Sequence, residues 1–366
     1  MILDLYFARK FLQSFLLILA VFLTLISLID VIEQIRSFSS ADVGLARLAV
    51  LTLLNVPAAI KELLPLLMIL STILLFVGLA RSSELVVTRA AGRSGIRALA
   101  APALVAFLIG ILAVTTLNPI AAATANRYQQ LADTYRTGGP SALSLSGEGL
   151  WLRQGGAQGQ SVIHATGYGG ADAVVLYGVT ILSYAPGGGP VRRIAAGSAR
   201  LEQEDWVLSD VKVWPLDSGR NPEAASETHD TMRLPTTLTP DRIRDSIGRP
   251  TGVSIYDLPE TIRSLRQAGF ATTKHEVWYQ VELARPLFLM AMVLVGAAFT
   301  MRHARFGGTG IAVLTAVMLG FGLYFVRNFA QILGENGQIP VALAAWGPPI
   351  ASIFLTLGLL LHAEDG

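Results

Sequence analysis

Residues 63–80 read LLPLLMILSTILLFVGLA. The run carries no charge, and by itself it nearly crosses a bilayer core, which takes roughly 20 mostly apolar residues. Lys61 and Glu62 stand in front of it and Arg81 closes it. Working outward, the same pattern recurs. Candidate spans lie at about Phe11–Ile32, Leu48–Ala80 (longer than needed and broken by Pro57 and Pro65), Ala98–Leu117, Val277–Thr300, Gly310–Leu333 and Val341–Leu361. The chain has 366 residues, 52% hydrophobic and 15% charged, with a mean hydropathy of +0.53. A soluble domain of this length rarely has such a composition. The sequence therefore predicts an α-helical polytopic membrane protein with six transmembrane helices.

Arg9 and Lys10 precede the first apolar run, as they would in a signal peptide. That run is too long for a signal sequence and no small-residue cleavage site follows, so it reads as a retained anchor. Orientation follows from Arg and Lys in short loops. Arg9 and Lys10, then Arg81, Arg89, Arg93 and Arg97, then Arg302 and Arg305, fall on one side if every span crosses. That side is the cytoplasm, with both termini inside. Three regions result: 1–118 with the first three spans, 119–274 outside, and 275–366 with the last three spans. The net charge of +2 says little. Cys is absent, so the outer region must fold by burial rather than on a disulfide framework.

Within 119–274 the period changes. GLWLRQ (149–154), SVIHATGY (161–168), VVLYGVTILSY (174–184), RRIAAGSARLEQEDWVLSDVKVWPL (192–216) and TMRLPTTL (231–238) are β-branched or alternating runs. Turn formers such as GGAQG, APGGGP and LDSGRNP separate them, which marks an all-β sandwich or barrel. Trp151, Trp206 and Trp214 read as core or edge packing. Residues 257–268 read as a short helix with Asp257 at its cap, Pro259 and Glu260 in its first turn and Gly269 beyond its end.

Enzyme chemistry leaves no signature. His275 and Glu276 begin an HExxH pattern, but Tyr279 stands where the second His belongs. None of Lys10, Lys61, Lys212 and Lys274 follows a Gly, so there is no phosphate-binding Walker loop. If the chain does work, another subunit supplies the energy. No nucleic-acid partner and no resident cofactor are expected.

Two sets of residues stand out. Ionisable residues within or beside spans are costly and often functional. Arg36, Lys61, Arg285 and Arg327 would all lie toward the outer side, where they can hold anionic lipid headgroups by charge-assisted hydrogen bonds. The alternative is snorkelling, with Lys61 beside Glu62 and Arg285 paired to Glu282 at i,i+3. The second set is SSELVVTRAAGRSGIR, residues 82–97. A short cytoplasmic helix at about 82–92 would be capped by Ser82 or Ser83, carry Glu84 in its first turn and end at Gly92. Leu85, Val86, Val87, Ala90 and Ala91 give it an apolar contact surface. It would lie on the bilayer or fill a protein groove, and only the groove makes use of Glu84.

On the run VPAAIKELLPLLMILSTILLFVGLARSSELVVTRAAG (56–92), GLW (149–151), LTPD (238–241) and the six-span layout with one outer insertion, the chain resembles the lipopolysaccharide-export permease family of LptF and LptG, its LptG members more than the others. The resemblance covers nearly the whole chain. It implies half of the transmembrane part of an ABC transporter, paired with an LptF-like subunit above an LptB ATPase dimer that binds the ATP. It further implies contact with LptC and the LptA bridge, with lipopolysaccharide as cargo. The outer domain would be a periplasmic β-jellyroll, the short helix the coupling helix, and the first and fifth spans the walls of the lipid cavity. By this likeness Glu84, Leu85, Val86, Arg89 and Arg93 would contact the ATPase. The chain departs from the family where Asp30 and Glu33 occupy a stretch usually basic, and where Ala58 replaces a basic residue, with Lys61 one turn later. Other classes are an LptF-like paralogue, a non-transporting anchor that displays a β domain, and a membrane enzyme.

Overall fold

The computed structural model describes residues 2–38, 43–90, 94–137, 143–146, 149–156, 159–169, 175–185, 189–202, 205–216, 221–236, 252–267, 271–301 and 309–365. These form two compact units. The first holds Met1–Ala132, Thr251–Pro259 and Thr273–Gly366; the second holds Asp133–Pro250 and Glu260–Thr272.

Six helices of the first unit are long and apolar enough to cross a membrane. They are α1 (Ile2–Ser37), α2 (Leu45–Arg81), α4 (Gly95–Leu112) with its continuation, α7 (Thr273–Thr300), α8 (Thr309–Glu335) and α9 (Val341–Asp365). Between α2 and α4 lies the short α3 (Glu84–Ala90). α7 sits at the centre and packs against α2, α4, α8 and α9. Small residues permit the approach: a Cβ on Gly110 would lie 2.5 Å from Pro286 Cα, and one on Gly296 2.8 Å from Thr72 Cβ. Between lipid-facing helices such close van der Waals packing replaces hydrophobic drive. α1 is the least covered span, with 6% of its most apolar window buried, and α8 follows at 17%.

Two expectations need correction. Pro57 and Pro65 do not break the second span; α2 runs through both. Proline is tolerated inside spans because neighbouring helices re-satisfy the freed backbone. Nor does the third span end at Leu117. α4 passes through a π-helical turn (Ala113–Leu117) into α5 (Asn118–Thr137). Pro119 lies just beyond this turn, and its missing N–H frees the carbonyl four residues back. That carbonyl, Thr115 O, accepts a hydrogen bond from Tyr256 Oη at 3.0 Å instead. Asn118 Oδ1 accepts from Ile255 N at 3.0 Å, and Asn126 Nδ2 donates to Gly252 O at 2.8 Å. The returning segment 252–256 thus completes the helix that the proline would otherwise end. α6 (Leu258–Gln267) follows.

The second unit holds a seven-stranded antiparallel sheet: β1 (Leu143–Ser146), β2 (Gly149–Gly156), β3 (Gly159–Gly169), β4 (Val175–Tyr184), β5 (Pro190–Glu202), β6 (Asp205–Pro215) and β7 (Glu227–Pro235). Each strand pairs with the next, so the described order is a meander. The buried face does not follow simple alternation. It steps from Leu176 to Val179, from Ala196 to Ala199 and from Leu208 to Val211, three residues where a strand needs two. Each slip spans one residue, Gly178, Gly197 and Asp210, and the flanking registers set these three side by side. Gly178 and Asp210 have φ of 57° and 54°. Because three strands take their extra residue at one level, pairing holds on both sides and the same face stays buried across the bend.

Trp206 is fully buried there, as expected, but Trp214 and Trp151 are not core residues. Trp214 lies between Arg193 and Lys212 and donates from Nε1 to Glu223 at 2.7 Å, while Trp151 stacks on His164. Both sit on the face opposite the core, paired in register with outward residues. LTPD lies outside the described residues.

A Cβ on Gly178 would lie 2.2 Å from Thr166 Oγ1, in a conformation that costs an L residue about 1–2 kcal/mol before the clash. Gly178→Val is therefore expected to destabilise the sheet by about 2 kcal/mol or more. Limited proteolysis of the full chain with temperature would show cuts within 143–236 appearing earlier, with the spans unaffected.

Candidate functional site

Glu282 is the organising group of the first unit's polar interior. Trp278, Glu282, Arg285 and Phe288 recur at helical spacing along one stripe of α7. The Glu282 side chain is 0% exposed. Arg285 grips it in fork fashion, Nε to Oε2 at 2.9 Å and Nη2 to Oε1 at 2.7 Å. Lys61 Nζ from α2 reaches the same Oε1 at 3.0 Å. Arg285 Nη1 also donates to Lys61 O at 3.0 Å, tying α7 to α2 through backbone as well as charge. Lys61 Nζ stands 4.9 Å from the centre of the Trp278 ring. Arg327 of α8 is buried too; its guanidinium lies 5.1 Å above Phe288, donates to Asn328 Oδ1 at 3.4 Å and is within Coulombic reach of Arg285 and Glu282.

Three of the four cations singled out in the sequence, Lys61, Arg285 and Arg327, are therefore brought together. Arg36 is exposed in the last turn of α1, outside this cluster. Arg285 has its i,i+3 partner, but Lys61 pairs with Glu282 rather than its neighbour Glu62, which is exposed. A cluster of three buried cations around one buried carboxylate holds more positive than negative charge. In a low-dielectric interior such an excess is costly without a further anion.

The second site is α3. A tight turn at Ser82 and Ser83, the latter at φ 58°, reverses the chain out of α2. The expected serine cap takes another form. The main-chain oxygen of Ser83 accepts from Val86 N and Val87 N, and the Ser82 hydroxyl donates to Glu84 Oε1 at 2.9 Å. Glu84 then meets α1: Lys10 Nζ donates to Oε1 at 2.8 Å and Oε2 at 3.0 Å, and Tyr6 Oη donates to Oε2 at 2.6 Å. The hydrogen bond from Lys10, then that from Tyr6, holds the Glu84 carboxyl below its ordinary range. Leu85 is buried in the helix core and Thr88 is buried beside it, whereas Val86 and Val87 are 50% and 67% exposed. The outward face of α3 is therefore Val86, Val87 and Ala90. Arg89 lies on α3 but its side chain is outside the described set, as is Arg93 altogether.

The family model described as lipopolysaccharide export system permease LptF/LptG matches residues 5–362. The chain belongs to the LptF/LptG family. Among curated relatives, the protein of Haemophilus influenzae named lipopolysaccharide export system permease protein LptG is 25% identical over 99% of each chain. The Escherichia coli K12 protein of the same name is 24% identical over 99% of this chain and 98% of that one. As an LptF/LptG-family chain with six apolar helices, this is a protein of the inner membrane.

For this family member, the sequence left Glu282 as a mere partner and missed Tyr6, Lys10, Trp278 and Phe288. Glu282 was visible as an acid within an apolar run, three residues from an arginine. The cross-helix partners had no local signal, because the spacing of Lys10 and Glu84 along the chain says nothing of their contact.

Glu282→Ala leaves buried cations uncompensated and is expected to cost about 3–5 kcal/mol. Heating in detergent, followed by size-exclusion fluorescence, should show a large drop in the midpoint of aggregation. Lys61→Met, which leaves the Arg285 pair intact, should fall far less. Glu84, with its folded value depressed, contributes its stability fully above the ordinary glutamate range and loses it as pH falls through the lowered value. The protection of residues 84–90 against hydrogen exchange, taken relative to the intrinsic rate at each pH, should be flat from neutral pH to about 5 and fall only below the ordinary range, a fall that Glu84→Gln abolishes.

Proposed function

We propose that the chain is the LptG-like permease subunit of an ABC transporter that takes lipopolysaccharide out of the inner membrane for delivery to a periplasmic bridge. The full-length family match carries this reading. The curated relatives named LptG support the LptG side. The partners would be an LptF-like subunit, an LptB-type ATPase dimer that binds ATP, LptC and LptA.

The geometry gives the reading its sites. The basic residues Arg9, Lys10, Arg81 and Arg97 cluster at the end of the spans that carries α3, which supports a cytoplasmic side for α3 and both termini and a periplasmic side for the inserted sheet. α3 offers Val86 and Val87 to a groove of the ATPase; Leu85, counted with them in the sequence, serves the chain's own core. The surplus positive charge of the Glu282 cluster suits the phosphates of lipid A, and Arg327 is the member that touches an amide and an aromatic ring rather than a carboxylate. α1 and α8, the least covered spans, would leave a wall for acyl chains and for the partner subunit. ATP binding below would shift α3 as a rigid body and narrow that space.

Reconstitution tests this directly. Vesicles holding the chain, its paired permease, the ATPase and lipopolysaccharide should release lipopolysaccharide to a soluble periplasmic acceptor only with ATP. Absence of ATP-dependent release from a fully assembled complex contradicts the reading. Arg327→Gln should leave assembly intact and lower lipopolysaccharide crosslinking about tenfold, the scale of one charge-assisted hydrogen bond.

A further inference from the structure

Trp151 closes the GLW run at 149–151, yet its ring serves no core. It is 38% exposed and stacks on His164 with ring centres 4.2 Å apart. Strand register fixes what lies beside it. Trp151 pairs with His164, His164 with Thr180, Thr180 with Ala195 and Ala195 with Lys212. Five neighbouring strands, β2 to β6, thus give one residue each to a single row. Residues next to them along the strands, such as Ile163, Ala165, Val179 and Ile181, are buried in the core. Side chains alternate along a strand, so the row lies on the sheet's outer face.

The row is bulky at its ends and small in its middle. At one end stands the Trp151–His164 stack. At the other, Lys212 meets Trp214, whose ring centre lies 5.1 Å from Lys212 Nζ and 5.2 Å from the Arg193 guanidinium across the strand pair. Between the ends stand only Thr180 and Ala195. His164 and Lys212 are three strand spacings apart, about 14 Å. Side-chain size alone therefore leaves a shallow trough between two aromatic groups.

The chemistry of the trough is amphipathic and cationic. Glu223 accepts from Trp214 Nε1 at 2.7 Å and pairs with Lys212, so the indole N–H is satisfied and the ammonium neutralised. Arg193 is exposed, and among the described residues its guanidinium meets the indole and no carboxylate. A guanidinium stacked on a ring keeps its N–H fork available to an anion. An aromatic ring offers an apolar face to the C–H side of a sugar, while polar neighbours take its hydroxyls. A standard protein interface buries about 800 Å² per partner around an apolar centre. Here the centre is one threonine and one alanine, both half-buried.

We propose that this outer face, from Trp151 to Trp214, binds a phosphorylated oligosaccharide, with Trp151 stacking on a sugar ring and Arg193 holding a phosphate. Lys212 and Glu223 position the Trp214 ring. The inference rests on the reading of lipopolysaccharide as cargo and extends it. The spans hold the acyl part, and the sugar part gains a contact on the inserted sheet.

The probe is the deacylated oligosaccharide of lipopolysaccharide with its phosphates intact, which lacks the chains that the spans would hold. Added to the full chain in detergent, without ATPase or ATP, it should bind saturably. A photoreactive residue in place of Thr180 should crosslink to it. Trp151→Ala should weaken binding about fivefold and Arg193→Gln about tenfold. Stripping the phosphates from the probe should cost the unaltered chain as much as Arg193→Gln does, a comparison free of any folding defect. Binding that survives both substitutions, or that ignores the phosphates, overturns the proposal. So does release of a copurified protein by both substitutions with oligosaccharide binding unchanged, which would make the face a protein interface. A complex that releases lipopolysaccharide with ATP yet binds no oligosaccharide here refutes the site and leaves the permease reading standing. Face-dependent binding by a chain that drives no ATP-dependent release upholds the site and removes that reading.

Discussion

A carboxylate without water around it must be paired, and in this chain that demand falls on Glu282. Removed from solvent completely, it draws Arg285 from its own helix and Lys61 from α2. The pairing fixes how the central helix α7 meets α2, and α8 enters through Arg327 over Phe288. An isolated charge at this depth is costly, and a pair without good geometry hardly less so. The fork of Arg285 and the backbone bond to Lys61 O supply that geometry. What remains is an imbalance of charge, three cations to one acid within the cluster. That imbalance is the feature on which the proposed binding of an anionic lipid rests.

The same rule operates at the edges of the bundle with smaller stakes. At one end of α1 stands a carboxylate shared by Lys10, Tyr6 and Ser82; at the other, the Asp30–Asn55 and Gln34–Tyr128 contacts. Between them the helix presents apolar side chains outward. α1 is thus fastened at both ends and little buried between them. The third span follows another logic. Its proline is accommodated by a π-turn and by Tyr256, which supplies the hydrogen bond that Pro119 cannot.

The six spans were legible because apolar runs near bilayer length have few other uses, and their ends differ from expectation only by polar turns that continue the helix. Where the reading failed, a non-local partner decided. The third helix continues past Leu117 with a bond from Tyr256, which lies far along the chain. Leu85 looked like contact surface because a seven-residue helix has no period long enough to tell its inner face from its outer. The contact of Glu84 with Lys10 was not legible because the two are distant in sequence. In the sheet, the alternation was visible but its phase slip was not: Gly178, Gly197 and Asp210 mark it only when set side by side. The four cations were each visible, yet the grouping of Lys61, Arg285 and Arg327 without Arg36 depended on Glu282, which a count of basic residues passes over.

The account stands on a chain that holds and moves an anionic lipid while another subunit supplies energy through α3. Purification of the unaltered chain in mild detergent tests this most directly, with the accompanying proteins identified and counted. A second LptF/LptG-family chain and a pair of ATPase subunits bearing phosphate-binding loops are expected in fixed ratio, with lipopolysaccharide bound. Recovery of the chain by itself, with neither ATPase nor lipopolysaccharide under conditions that keep its helices folded, would contradict it.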